Sequence, residues 1–217
     1  MTTETIKKPL WRRLILPLIG GGIAGFLVAF GFLNLSEMAN GADLGDSREI
    51  GGLVGALYAF TGLSVLVGVL SPGFGAKFLN VEDADELREQ RKMLSYSGVA
   101  MILLGGALML LALSGEGAFL PAQTGLIGAI ALIVVATVLS IVSHRHTDEL
   151  QRALSNDAVS SAFYIVFVIG GGWAMLAHLD YVAGPAPLDW LSMFAASLLV
   201  GAFWQTARRG LLMRGPN

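Results

Sequence analysis

Six long intervals of this sequence contain no Asp, Glu, Lys or Arg, and the shortest of them, 190–207, is still as long as a membrane crossing. A helix needs about 20 apolar residues to traverse a bilayer core, because every backbone polar group must be satisfied inside the segment. The apolar runs are continuous and do not alternate, which favours helix over strand. They predict helices near 13–35, 50–70, 95–114, 122–143, 158–179 and 188–208. Composition agrees: 14% of residues are charged, against about a quarter in soluble domains. Mean hydropathy is +0.68. The expected fold is all-α, a single polytopic membrane domain over 1–217. Its six spans would form three antiparallel hairpins, 10–72, 80–144 and 147–209. Pro72 closes the second predicted helix, and Pro121 and Pro187 open the fourth and sixth, where a missing N–H costs little.

Lys and Arg set the expected orientation. Lys7, Lys8, Arg12, Arg13, Lys77, Arg88, Arg91, Lys92, Arg145, Arg152, Arg208, Arg209 and Arg214 share one side. Of the 14 basic residues only Arg48 falls on the other, together with Glu37, Asp43, Asp46, Glu49, Glu116, Asp180 and Asp189. Positive charge stays inside, so both termini are expected in the cytoplasm of a bacterial inner membrane. The apolar run near the N-terminus is too long for a signal peptide and reads as a retained span. Trp11, Tyr96 and Trp204 are expected at the inner interface, Tyr181 and Trp190 at the outer one, and Tyr58, Tyr164 and Trp173 between helices.

The chemistry this chain can perform is narrow. It has no Cys, hence no disulfide or thiolate site. No ionisable residue is predicted near a bilayer centre, where pumps and ion-coupled carriers keep theirs. His144, Arg145 and His146 lack acidic or thiolate company suited to a metal, and no metal, cofactor or direct nucleic-acid contact is expected. Ser114, His178 and Asp180 reach one side without a motif that would make them a triad, so no catalytic residue is proposed.

Two patterns remain. The first is glycine: Gly21 and Gly25 in the first predicted helix, Gly51 and Gly55 in the second, and Gly171 and Gly172 in the fifth. Small residues let helix backbones approach closely in lipid, so these are expected to pack helices. A homodimer seam is the alternative. The second is a pair of mixed-charge segments, 80–94 and 145–156, each placed before a span. In the first, Asn80 is a good N-cap, Asp85 with Arg88 and Glu89 with Lys92 stand at i, i+3, and the helix is expected to continue into the third span. The candidate partner-binding residues are Asp85, Glu86, Arg88, Glu89, Arg91, Asp148, Glu149 and Arg152.

The segments Asp85-Glu86-Leu87-Arg88-Glu89 and Asp148-Glu149-Leu150-Gln151-Arg152 resemble those that precede a membrane helix in small bacterial multi-pass proteins of unknown function. Some of those are encoded beside small helix-turn-helix regulators. They tend to be shorter, so six spans are a departure. The resemblance implies a membrane subunit that holds a cytoplasmic partner, such as a DNA-binding transcriptional regulator. Two other classes compete with it. A small transporter or channel would need Asn34, Ser64 and Gln205 to face one cavity. An accessory subunit of a larger membrane complex would use the glycine faces.

Overall fold

The computed structural model describes residues 23–34, 37, 44–75 and 84–209. Their secondary structure is α-helical, apart from one isolated bridge between Ser114 and Leu120. In chain order the helices are α1 (Ile23–Asn34), α2 (Asp46–Leu70), α3 (Pro72–Gly75), α4 (Ala84–Glu89), α5 (Arg91–Ala112), α6 (Ala122–His144), α7 (Glu149–His178) and α8 (Pro187–Arg208). Five of them, α2, α5, α6, α7 and α8, are long and apolar enough to cross a membrane. The chain is therefore a multi-pass membrane helix bundle. Within the first expected span, 13–35, only 23–34 is described, and there it is helical.

Local chemistry sets the helix ends. Pro187 is the first residue of α8, and the Asp189 carboxylate accepts the Ala186 N–H at 2.7 Å. Asp189 is thus in the first turn of α8, where it also opposes the helix dipole. The chain leaves α7 through Asp180 at φ 60, with Tyr181 N–H bonded to Leu176 O and Asp180 N–H to Ala177 O. Those two bonds satisfy carbonyls that the last helical turn would otherwise orphan. Gly115 and Gly117, at φ 122 and 69, turn the chain between α5 and α6.

The seams between helices are built from small residues. A Cβ placed on Gly55 would lie 2.6 Å from Gly105 O, and one on Gly105 would run into Gly55 O. One turn-pair away, Gly62 and Gly98 oppose each other in the same way. Gly55 to Gly62 and Gly98 to Gly105 are each one heptad, so α2 and α5 run antiparallel with their backbones touching. Among the described helices the α2–α5 contact is the most extensive, followed by α5–α6 and α7–α8. Along α6, Gly125, Ala129, Ala136 and Ser143 are buried; along α7, Ala158, Ala162, Val166 and Gly170. A Cβ on Gly201 of α8 would lie 2.5 Å from Ala158 O. In lipid the close approach of such surfaces replaces the hydrophobic drive that holds soluble cores.

Helix α2 is the hub. Gly51 faces Leu188 and Ser192 of α8, Gly52 lies under the Phe32 ring of α1, and Gly55 faces α5. Further along, the Tyr58 hydroxyl donates to Ala195 O of α8 at 2.8 Å and its ring is buried. Gly51 and Gly55 therefore serve two different neighbours. The other glycines behave differently from expectation. Gly25, Gly171 and Gly172 have open space where a Cβ would stand, and Gly21 lies outside the described residues. Among the described helices α7 packs mainly on α8, and Gly171 is exposed and Gly172 half-buried. For the same reason Tyr164, expected between helices, is 65% exposed.

Replacing Gly105 with Val is expected to lower the unfolding midpoint in detergent, by an overpacking cost of about 1–3 kcal/mol. Replacing Gly171 with Ala is expected to leave the midpoint unchanged or raise it, because Ala gains about 0.5–1 kcal/mol of helix propensity at an open position. Thermal melts of the two variants side by side check both.

Candidate functional site

Polar contacts draw the ends of four helices together. Ser143 near the end of α6 shares a hydrogen bond with Ser97 of α5 at 2.9 Å and donates to Met93 O at 3.1 Å. The Gln205 side chain of α8 donates to Ser161 Oγ of α7 at 2.8 Å. Beyond it, Arg209 pairs with Asp157. Gln151 Nε2 in the first turn of α7 donates to Gln90 Oε1, just before α5, at 2.9 Å. These bonds place Arg88, Arg91, Lys92, Arg145, Arg152, Arg208 and Arg209 at one end of the bundle. At the opposite end Arg48 donates to Glu116 O at 3.3 and 3.4 Å.

Both mixed-charge segments lie at the basic end, and they touch. Their local structures differ. Helix α4 ends at Glu89, the chain turns at Gln90, and α5 begins at Arg91, so the first segment does not continue unbroken into its span. Leu87 is completely buried and holds α4 in place against the body, beside α2, α3 and α5. Asp85 and Arg88 form their expected pair at 2.5 Å, with both side chains exposed. Glu89 and Lys92 do not pair, because the break at Gln90 removes the helical register that i, i+3 contact requires. Both are exposed, as is Arg91. Glu86 lies in α4, but its side chain is outside the described set, as is Asn80.

The second segment belongs to α7 itself, which runs from Glu149 to His178 without interruption. It is longer than the expected 158–179, since nothing between Glu149 and Ala158 stops a helix. Asp148 is its N-cap, accepting the Gln151 N–H at 2.7 Å. Asp148 and Asp85 therefore occupy unlike positions, one capping a long helix and the other inside a short one. Glu149 and Arg152 are exposed. The bonds that unite this end, Gln90–Gln151 and Asp157–Arg209, involve residues the sequence reading passed over. Gln90 and Gln151 flank the charged residues, but no spacing within one helix announces a bond between two.

His146 and several polar side chains of the spans are occupied locally. His146 Nδ1 lies 3.0 Å from Val142 O, and its ring stands beside Tyr96. Asn34 donates to Phe30 O, Ser64 to Phe60 O and Ser114 to Leu110 O. With Gln205 bonded to Ser161, the groups a transporter would require at one cavity each have their own partner on or beside their own helix. A depression of about 550 Å³ opens at the Arg48 end, between the starts of α2 and α8, with Arg48, Ser114, Leu111, Leu188 and Leu191 on its walls. Its walls are mostly apolar.

The cap gives a direct measurement. Asp148→Ala is expected to cost about 1 kcal/mol of stability, whereas Asp148→Asn keeps an equivalent acceptor and costs little. Detergent unfolding midpoints distinguish the two. Compared with known proteins, the chain matches no family model, no curated protein and no solved structure.

Proposed function

We propose that this chain is a non-enzymatic protein of a bacterial inner membrane that docks a cytoplasmic protein on its basic end. In this reading it has six spans, with both termini in the cytoplasm. The observation that carries it is the Gln90–Gln151 bond, which joins the two mixed-charge segments into one surface. On that surface Arg88, Glu89, Arg91, Glu149 and Arg152 stand exposed in both signs of charge. Mixed, exposed charge selects a protein partner of complementary pattern and steers its approach. The narrower form of the proposal follows the resemblance: the partner is a small DNA-binding regulator, held at the membrane and released when the membrane is perturbed. The cytoplasmic placement rests on the excess of Lys and Arg at this end.

Two measurements test the proposal. The chain has no Cys, so single cysteines report topology without background. In intact cells a membrane-impermeant maleimide is expected to label Glu116→Cys and to spare Arg91→Cys; the reverse pattern overturns the orientation. For docking, the tagged protein is purified from native membranes in mild detergent. A cytoplasmic protein is expected to co-purify with the wild type and to be lost from the variant Asp85→Asn/Glu86→Gln/Asp148→Asn/Glu149→Gln, which keeps the cap of α7. Absence of any cytoplasmic protein with the wild type, or its full retention by the variant, contradicts the reading.

A further inference from the structure

Helices α6 and α7 are joined by residues 145–148 alone, yet they make almost no contact with each other. Helix α6 packs on α5, and α7 packs on α8. Among the described residues a short turn joins the two helices at one end and little contact joins them beyond it, which leaves a crevice between them. Both leave large apolar side chains uncovered, among them Val138 and Ile141 on α6 and Val159 and Phe163 on α7. The crevice therefore belongs to the hydrocarbon part of the membrane.

Its closed end is basic. Arg145 stands in the turn, Arg152 in the first turns of α7, and Arg91 and Lys92 open α5. The Gln90–Gln151 bond draws the start of α5 against α7, and Arg91 and Arg152 are the residues that follow its two partners. All four bases are exposed, and none has an ion-pair partner among the described residues. Three of the described acids near them in sequence are engaged elsewhere. Asp85 holds Arg88, Asp157 holds Arg209, and Asp148 caps α7. Glu89 and Glu149 remain exposed at the rim.

We infer that the α6–α7 crevice seats an anionic phospholipid, its phosphate on Arg145 and Arg152 with Arg91 and Lys92 behind them, its acyl chains between the two helices. Guanidinium groups match phosphate oxygens in a bidentate geometry. Basic crevices between spans on the cytoplasmic side suit such headgroups, and the apolar walls suit the chains. The inference rests on the cytoplasmic placement proposed above and shares Arg91 and Arg152 with the docking surface, but it names a different ligand.

The experiment is native mass spectrometry of the purified protein, offered phosphatidylglycerol and phosphatidylcholine of identical chains. Retained phosphatidylglycerol is expected to exceed phosphatidylcholine by about thirtyfold, the preference two favourable Lys or Arg contacts provide. Arg145→Gln/Arg152→Gln is expected to abolish the preference, while Arg48→Gln, at the opposite end, keeps it. Circular dichroism establishes that each variant is helical. Equal retention of both lipids by the wild type overturns the inference, as does an undiminished preference in the helical double variant. No protein partner enters this assay, so its outcome and that of co-purification are separate.

Discussion

Everything in this bundle hangs on the backbone contact between α2 and α5. Gly55 faces Gly105, and Gly62 faces Gly98, with no room for a Cβ on either side. In water, large side chains hold helices together because burying them releases solvent. In lipid the tails are as apolar as leucine, and that drive is missing. What remains is dispersion between surfaces that fit, and flat glycine surfaces bring the most atoms within range. The consequence is visible in the buried set, where Ala56, Ala100, Ala107, Ala112, Ala129, Ala136, Ala158 and Ala162 predominate. The large side chains, Phe163 and Phe167 among them, point outward to lipid.

This contact decides the rest of the layout. With α5 on one side of α2, Gly51 and Tyr58 are turned toward α8, and Gly52 toward Phe32. Among the described helices α6 then reaches the body mainly through α5, and α7 mainly through α8. The two outermost helices are neighbours along the chain but lack a common seam. Small residues on α7 follow a four-residue spacing, Ala158, Ala162, Val166 and Gly170, which makes one narrow stripe, and α8 occupies it. Gly171 and Gly172 lie off that stripe, with open space where a Cβ would stand.

The helices were legible in the sequence because one constraint, the cost of a charge in hydrocarbon, writes itself directly into residue order. The gaps between charges gave α6 and α8 to within one residue and α2 and α5 to within four, and Pro121 and Pro187 marked starts that the structure keeps. The pairing of helices was less legible. Gly51 and Gly55 form a G-x-x-x-G, but they serve different neighbours, and the Gly55–Gly105 seam is recognised only when two helices are read against each other in opposite directions. The heptads Gly55–Gly62 and Gly98–Gly105 were the signal available. At the basic end, the charged residues drew attention, whereas neutral Gln90 and Gln151 make the connection. The complete burial of Leu87 depends on how α4 sits against α2, α3 and α5 before the break at Gln90.

Charge count and charge availability are different quantities, and the basic end separates them. By sequence the two segments are nearly balanced, which argues for a solvated surface with no preference. In the folded chain Asp148 answers to the dipole and open N–H groups of α7, and Asp157 to Arg209. A carboxylate engaged in this way offers less to a ligand than its formal charge implies, because its lone pairs are already directed. Arg91, Lys92, Arg145 and Arg152 have no such engagement within the described residues. Among the described residues of the two segments, these four bases and only two acids, Glu89 and Glu149, are left without such engagement. In a chain whose spans carry so little ionisable chemistry, recognition is concentrated there.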